Sequence, residues 1–321
     1  MNAALRSWPD PCVAYRTRRL LDGEDPESPA MVALAGAARA HPHCDATIAG
    51  ALRVRSHAYR KWQGPHWALV QLAERGHPGG DPRLKELQQA VFHWILSPGF
   101  LAPNRTRTLE GQSARVRHCG SLEGNLLWAS VRLGIADDRL GELVARLSRF
   151  QWPDGGWNCD IRPTAQVSSF VETILTLRGL LAWVDATGDD DARQTLDRGL
   201  ELVLDHALLY RRDGEVIVPD WGPQPDLIGF PIRFFDVLLV LELMAEAGRI
   251  GDPRCLRALD LLESKRTEDG GFPLEFRPAI TSAQICSRCT FADWGPGGKT
   301  RMNPWITGNA VRVLRAAGRA E

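Results

Sequence analysis

The chain has 321 residues, of which 44% are hydrophobic and 24% charged, and its formal net charge at pH 7 is zero. This composition is typical of a globular protein with a large core, and the balanced charge argues against nucleic acid or an acidic membrane surface as a partner. No apolar run approaches the ~18 residues of a transmembrane helix, and the N-terminus lacks the apolar segment of a secretory signal. We therefore expect a cytoplasmic protein, in which the seven cysteines are free or bound to metal.

Residues 1–27 contain Pro9, Pro11 and Pro26 and an acidic run. This composition predicts an irregular N-terminal arm or capping segment, followed by a single domain over residues 28–321. The alanine-rich segment 29–40 and the segment 46–60 each predict a helix.

From residue 66 onward, apolar segments end at glycines that recur at intervals of roughly 60 residues. These segments, each predicted to be a helix, are 66–75, 121–133, 168–187, 235–247 and 303–317. Four of the glycines are followed by an Asp that begins a second, amphipathic segment, as in Asp81-Pro82 and Asp252-Pro253. Asp caps a helix and proline fits its first turn, so a second helix is expected there. Repeated two-helix units cannot bury their apolar faces alone and must stack or close.

The first helix of each pair is apolar around its girth and the second on one side only, which predicts an all-α double ring with the apolar helices inside. Strict alternation makes the inner helices parallel, so the loops before them gather at one mouth. These loops are residues 97–120, 151–167, 212–234 and 267–302. Loops of such length in a compact domain usually carry function.

Residues 151–157 read Gln-Trp-Pro-Asp-Gly-Gly-Trp, and residues 267–272 contain a weaker copy, Asp-Gly-Gly-Phe. The first stretch resembles the Gln-Trp repeats of squalene-hopene cyclases, and the helical period resembles the α/α toroid shared by triterpene cyclases and protein prenyltransferase β subunits. The resemblance covers roughly residues 60–319. It implies a toroid of five or six helical hairpins, with isoprenoid chemistry in a central apolar cavity. We expect Gln151, Trp152 and Trp157 to be structural, because Gln-Trp turns tie outer helices together.

The acidic Asp-x-Asp-Asp run of those cyclases is missing from the inner-helix starts, and residues 189–191 read as a helix cap at the opposite mouth. The candidate acid is Asp236, which begins an inner helix among aromatic residues, where burial raises the pKa of a carboxyl group. The alternative is that Asp236 only caps this helix. Glu172 and His66 lie near the starts of other inner helices and are further catalytic candidates, although a histidine at a helix end is often only hydrogen-bonded.

Aromatic residues near the same mouth are candidates for binding the substrate, because their faces can stabilise a carbocation. The alternative is ordinary core packing. These residues are Trp67, Trp128, Phe170, Phe235 and Trp305.

Cys286 and Cys289 form a Cys-x-x-Cys pair in a glycine-rich loop, a spacing found among zinc ligands. Cys119 and Cys159 precede two of the inner helices, so the predicted fold brings all four cysteines to one mouth. Four thiolates would form a closed structural zinc site. Three thiolates with water, or with a neighbouring His or Asp replacing one of them, would form an open site that activates water or a thiol. The alternative is four free cysteines.

These features predict an enzyme that acts on an isoprenoid or similar apolar chain, by acid-initiated cyclisation at Asp236 or by a metal-assisted reaction at the cysteines. The missing acidic run weakens the first mechanism. The second is weakened because protein prenyltransferases hold zinc through Asp, Cys and His, a pattern that this sequence does not match. The alternative from another class is a non-catalytic toroid that binds a lipid or a protein and has a structural zinc.

Overall fold

The computed structural model describes residues 2–101, 108–109, 112–160, 162, 164–218, 224–281 and 284–319. It is mostly helical, with 53% helix and 4% strand, so the predicted all-α class is confirmed. The helices are α1 (Asn2–Arg6), α2 (Pro11–Leu20), α3 (Pro29–Arg39), α4 (Pro42–Leu52), α5 (Pro65–Arg75), α6 (Leu84–Ile95), α7 (Pro98–Leu101), α8 (Gly120–Arg132), α9 (Arg139–Arg149), α10 (Phe170–Thr187), α11 (Asp190–Asp205), α12 (Val237–Glu246), α13 (Leu256–Ser264) and α14 (Pro304–Ala316). Two short strand pairs join β1 (Thr108–Leu109) to β2 (Gln112–Val116), antiparallel, and β3 (Ala279–Ile280) to β4 (Cys289–Thr290), parallel.

The predicted helix pairs form with small shifts at their ends. The five apolar segments become α5, α8, α10, α12 and α14, and the Asp-initiated segments become α6, α9, α11 and α13. The glycines after the apolar helices all have positive φ, as a helix C-terminus requires; they are Gly76, Gly134, Gly188, Gly248 and Gly318. The helix predicted over 46–60 instead spans Pro42–Leu52, because Pro42 at the first helical position starts it earlier.

The prediction of an irregular segment is wrong for residues 2–6 and 11–20, which form α1 and α2. The Asp10 side chain accepts a hydrogen bond from the Cys12 N–H, and Pro11 occupies the first helical position. This is the same Asp-Pro start signal as at Asp81-Pro82 and Asp252-Pro253. Helix α2 contacts α5 and α14, so it packs with the apolar helices of the core.

Six helices contact one another in a closed order. Helix α5 contacts α8, α8 contacts α10, α10 contacts α12 and α12 contacts α14, while α2 contacts both α14 and α5. We call this set the contact cycle. The one-sided helices α6, α9, α11 and α13 pack against α5, α8, α10 and α12 respectively. The buried and one-sided helices therefore alternate along the chain, as the periodicity predicts.

Helices α8 and α10 meet backbone to backbone. A side chain at Gly124 would collide with the Leu175 carbonyl and the Thr176 Cα, and one at Gly179 would collide with the Gly124 backbone. The absence of side chains at these two glycines lets the helix axes come close, which fixes the start of α8 relative to the start of α10.

The Gln-Trp turn after α9 joins neighbouring helices through hydrogen bonds. The Gln151 amide donates to the Thr195 carbonyl of α11 over 2.8 Å, and the Trp157 indole N–H donates to the Leu147 carbonyl of α9 over 2.9 Å. The Trp152 indole N–H also donates to a backbone carbonyl, over 2.8 Å. The predicted structural role of these three residues is confirmed.

The weaker copy of the turn makes the equivalent contact. The Trp157 N–H donates to the Thr173 hydroxyl of α10 over 3.2 Å, and the Phe272 N–H donates to the Thr307 hydroxyl of α14 over 2.9 Å. Both turns therefore attach to the following buried helix in the same way, which supports an internal repeat. Within the described residues, no helix combines the length and apolar character needed to cross a membrane.

Candidate functional site

Two loops are held side by side just before α8 and α10. The His118 N–H donates to the Asn158 carbonyl over 2.9 Å, and the Asn158 amide donates to the Val167 carbonyl over 2.8 Å. The residues that follow His118 and Asn158 are Cys119 and Cys159. The backbone contact therefore brings two cysteines from different repeats to the same place.

The two thiols meet a carboxylate from the first turn of α10. The sulfur atoms of Cys119 and Cys159 and a carboxylate oxygen of Glu172 all lie within 4.8 Å of one another. The Cys159 thiol donates to one Glu172 oxygen over 3.1 Å, and the Ser121 N–H donates to the other over 2.8 Å. We call Cys119, Cys159 and Glu172 the thiol–carboxylate cluster. The two cysteines are partly exposed and Glu172 is buried.

The surroundings keep the Cys159 thiol protonated when no metal is bound. Hydrogen bonding with Cys119, burial and the negative charge of Glu172 together raise the pKa of the Cys159 thiol. Burial also raises the pKa of Tyr59, and the charges of Glu172, Cys119 and Cys159 add to this shift. Tyr59 is thus a neighbour of the cluster that the sequence did not identify, because it lies inside the segment that was predicted to be a helix.

The donor atoms of the cluster fit a divalent metal such as zinc. Tetrahedral zinc, with Zn–S near 2.3 Å and Zn–O near 2.0 Å, places its ligand atoms ~3.5 to 3.8 Å apart. The sulfur and oxygen atoms already lie within 4.8 Å of one another, so small side-chain shifts bring them to that spacing. Metal binding would replace the thiol protons. Three protein ligands would leave one coordination position open.

A cavity of about 670 Å³ borders the cluster, within the size range of small-molecule sites. Cys159 and Glu172 lie on its wall beside the apolar side chains of Phe170, Phe235 and Val218. The rings of Phe170 and Phe235 are 5.3 Å apart. We call this space the mouth cavity. Its wall combines candidate metal ligands with an apolar surface.

The other two predicted metal ligands are arranged differently. Cys286 and Cys289 are joined by a disulfide, with their Cα atoms 5.9 Å apart, and in this form neither sulfur is a thiolate ligand. The Cys286 N–H donates to the Gln63 side chain over 2.8 Å, which attaches this loop to the segment before α5. The structure therefore brings together two of the four predicted cysteines and adds Glu172 to them.

A second group of possible ligands lies at the start of α2. Ligand atoms of Asp10, His41 and His43 lie within 4.8 Å of one another. The Arg75 guanidinium donates to Asp10 over 2.5 Å and lies 3.3 Å from Nδ1 of His43. A fixed positive charge between these ligands opposes a second cation, so this group is a weaker candidate than the thiol–carboxylate cluster.

The remaining catalytic candidates lie outside the cluster. Asp236 caps α12 by accepting from the Leu239 N–H over 2.9 Å, and it pairs with Arg233 over 3.3 Å. Burial raises the pKa of Asp236, and Arg233 opposes that shift. His66 Nε2 donates to the Leu122 carbonyl over 3.0 Å, and burial lowers its pKa to about 4.

The predicted substrate-binding aromatics divide into separate groups. Phe170 and Phe235 line the mouth cavity. Trp67 packs against Trp62, with ring centres 4.7 Å apart. Trp128 lies under the Arg178 guanidinium, 3.1 Å from its ring centre. Trp305 packs near Trp294, with ring centres 5.9 Å apart.

No protein-family model matches this chain, and no characterised protein is significantly similar to it in sequence.

Proposed function

We propose that this chain is a zinc-dependent enzyme that binds an isoprenoid or similar apolar chain at the loop-bearing mouth of an α/α toroid. The closed order of the contact cycle, with one-sided helices packed against it, supports the toroid. The observation that carries the function is the convergence of Cys119, Cys159 and Glu172 at the edge of a 670 Å³ cavity with apolar walls.

Cys119, Cys159 and Glu172 would hold the zinc, and their geometry favours an open site. Zinc with three protein ligands binds water or a substrate thiol in the fourth position and lowers its pKa. The Ser121 N–H holds the second oxygen of Glu172, and such a contact orients a ligand carboxylate. Tyr59 is the nearby candidate for moving a proton.

The mouth suits an apolar chain better than the centre of the contact cycle does. All six helices of the cycle line a central cavity of only about 70 Å³, and its wall carries several arginines and glutamates. Small-molecule sites usually measure ~300 Å³ or more. The proposed site for the substrate is therefore the mouth cavity, with Phe170 and Phe235 against the chain, in place of the central apolar cavity expected from the sequence.

Metal analysis of the purified chain tests the zinc site. We expect close to one zinc per chain by elemental mass spectrometry, and a loss of most of it in the Cys119→Ser, Cys159→Ser double variant. Cys255→Ser is the matched control, since Cys255 is buried beside α13 and belongs to neither ligand group. Zinc retained by the double variant, or no zinc bound by the wild type at micromolar concentration, would refute the site.

Circular dichroism after chelation separates an open site from a structural one. A helical spectrum and melting temperature that survive zinc removal support the enzyme. Unfolding on zinc removal supports the alternative, a non-catalytic binding toroid with a structural zinc.

Binding of farnesol, measured by calorimetry, tests whether the mouth cavity binds an apolar ligand. Phe235→Ala should weaken binding about tenfold, or ~1.4 kcal/mol, because it removes an aromatic wall of the mouth cavity. Phe291→Ala is the control, since Phe291 is buried but packs beside Gly50. Zinc-dependent release of diphosphate from farnesyl diphosphate would support catalysis. Equal effects of Phe235→Ala and Phe291→Ala on farnesol binding would show that the apolar ligand binds elsewhere.

A further inference from the structure

The centre of the contact cycle contains a small cavity with a charged wall. Its volume is about 70 Å³, and residues from α2, α5, α8, α10, α12 and α14 line it. Space of this size holds a few waters or a small ion. The charged residues on its wall are Arg16, Arg19, Arg132, Arg178, Arg312, Glu74, Glu242 and Glu246. None of the residues given for this wall lines the mouth cavity.

Each of the three carboxylates on the wall already has an arginine partner. Arg178 donates to Glu74 over 2.5 Å. Arg132 and Arg312 donate to Glu246 over 2.7 and 2.6 Å.

Glu242 is paired in the same region. It accepts from Arg233, which is buried behind the wall, over 2.9 Å. Arg233 also pairs with Asp236. Four arginines and four carboxylates therefore balance one another.

Besides the exposed Arg19, the charge left over on this wall is that of Arg16. Among the described residues, its guanidinium has no carboxylate within ion-pair distance and no hydrogen-bond acceptor. Burial lowers the pKa of Arg16 to about 10, against the more distant charges of Glu242 and Glu74, so the group is still protonated at neutral pH. The Arg16 side chain is only partly buried, so its unpaired guanidinium keeps surface that a ligand can reach.

A second donor in the same cavity also lacks an acceptor. The Nε–H of Arg312 is buried and finds no hydrogen-bond partner within the described parts of the chain. One unpaired positive charge thus borders a space of ionic size, on a wall that carries four more arginines. Guanidinium groups match the oxygens of phosphates and carboxylates with paired hydrogen bonds.

We propose that this central cavity binds a small oxyanion, a phosphate or carboxylate group, between Arg16 and Arg312. The anion would pair with Arg16, beside the Arg312 side chain on the same wall. The proposal does not depend on the zinc site or on the apolar substrate, because different side chains line the two cavities.

Thermal unfolding in sodium phosphate, sodium acetate and sodium chloride at equal ionic strength tests the site. Wild type should melt at a higher temperature in phosphate or acetate than in chloride, and the anion that raises it more identifies the preferred group. Arg16→Gln should lose this shift and bind the anion at least tenfold more weakly by calorimetry. Arg55→Gln is the control, since Arg55 is exposed and lies outside the cavity.

The stability of Arg16→Gln in chloride alone shows whether Arg16 serves to bind an anion or to stabilise the fold. If Arg16 lacks a partner, Arg16→Gln should be no less stable than wild type in chloride. A variant that is destabilised in chloride, together with a wild type that ignores phosphate and acetate, would overturn the proposal. Should Arg16→Gln fail to fold, calorimetry of the wild type decides, because no saturable heat with either anion also overturns it.

Discussion

Glu172 has the two partners expected of a functional carboxylate, the Cys159 thiol and the Ser121 N–H. It lies at the starts of α8 and α10, where helix dipoles favour negative charge. Asp236 is the candidate acid predicted from the same position in the repeat, yet it pairs with Arg233. Both carboxylates lie at helix starts, as the sequence predicts. The partners of Glu172 are distant in the chain, which local patterns do not specify, whereas Arg233 lies only three residues before Asp236.

The Glu172→Gln variant should make Cys159 more reactive toward iodoacetamide in the metal-free protein. Hydrogen bonding with Cys119, burial and the Glu172 charge raise the pKa of the Cys159 thiol. Removing that charge lowers this pKa and increases the thiolate fraction, by several-fold at pH 8. Mass spectrometry of the Cys159 peptide gives the rate at each pH. The Glu27→Gln variant, changed at an exposed position, should match wild type, and an unshifted pH profile in Glu172→Gln would contradict the expectation.

Among the helices and turns, the sequence predicts best those features that depend on neighbouring residues, such as helix ends. Terminal glycines and Asp caps located the helix pairs to within a few residues. Helix α2 was missed because the proline content of residues 1–27 outweighed the cap formed by Asp10 and Pro11. Composition is an average over a segment, whereas a cap acts at one residue. The Asp10-Pro11 cap is therefore the better predictor of a helix start here.

Gly124→Ala tests the close approach of α8 and α10. The added methyl group would meet the Leu175 carbonyl, and backbone cannot move aside as a flexible side chain does. We expect a loss of ~3 kcal/mol in the free energy of unfolding, measured with urea.

Gly308 is the matched control, because it holds the equivalent place in α14 and a methyl group there would meet no described atom within 4 Å. Gly308→Ala should be neutral or stabilising by up to ~1 kcal/mol. Similar losses in both variants would show that helix propensity, and not the close approach, controls the effect.

Gln151→Ala tests the tie between the Gln-Trp turn and α11. It removes the donor to the Thr195 carbonyl and should cost about 1 to 3 kcal/mol of unfolding free energy in urea. Gln89 accepts from Arg139 at the exposed surface, so Gln89→Ala should cost much less. Equal costs would mean that the turn does not hold the outer helices.

At the scale of the whole molecule, the periodicity identified the buried helices but not what fills the space between them. Isolated charged residues such as Glu74, Arg178 and Glu242 lie inside the apolar segments without changing their helical period. The structure brings them together around the central cavity. A sequence pattern averages over such single positions, and their partners lie many residues away.

The molecule should lose stability as the pH falls from about 6.5 to 4. Burial lowers the pKa of His66 and of His118 to about 4, while the unfolded chain takes up these protons near pH 6.5. The unfolded state therefore binds more protons within this range. Each histidine contributes up to roughly 3 kcal/mol above pH 6.5 that is lost by pH 4.

Urea unfolding at several pH values measures this loss. His66→Gln should flatten the dependence of unfolding free energy on pH, whatever its effect at pH 7. His93→Gln, changed at an exposed residue, should leave the slope as in wild type. A slope that His66→Gln does not change would mean that other groups control the acid response.

The contact between α2 and α14 joins segments that are far apart in the sequence, since α2 ends at Leu20 and α14 begins at Pro304. During synthesis on the ribosome, α2 emerges long before its partner α14. Until α14 is made, the side of α2 that contacts it stays uncovered, and exposed apolar surfaces promote aggregation. We expect production of this protein in cells to depend on chaperones, and to improve when translation is slowed by lower temperature.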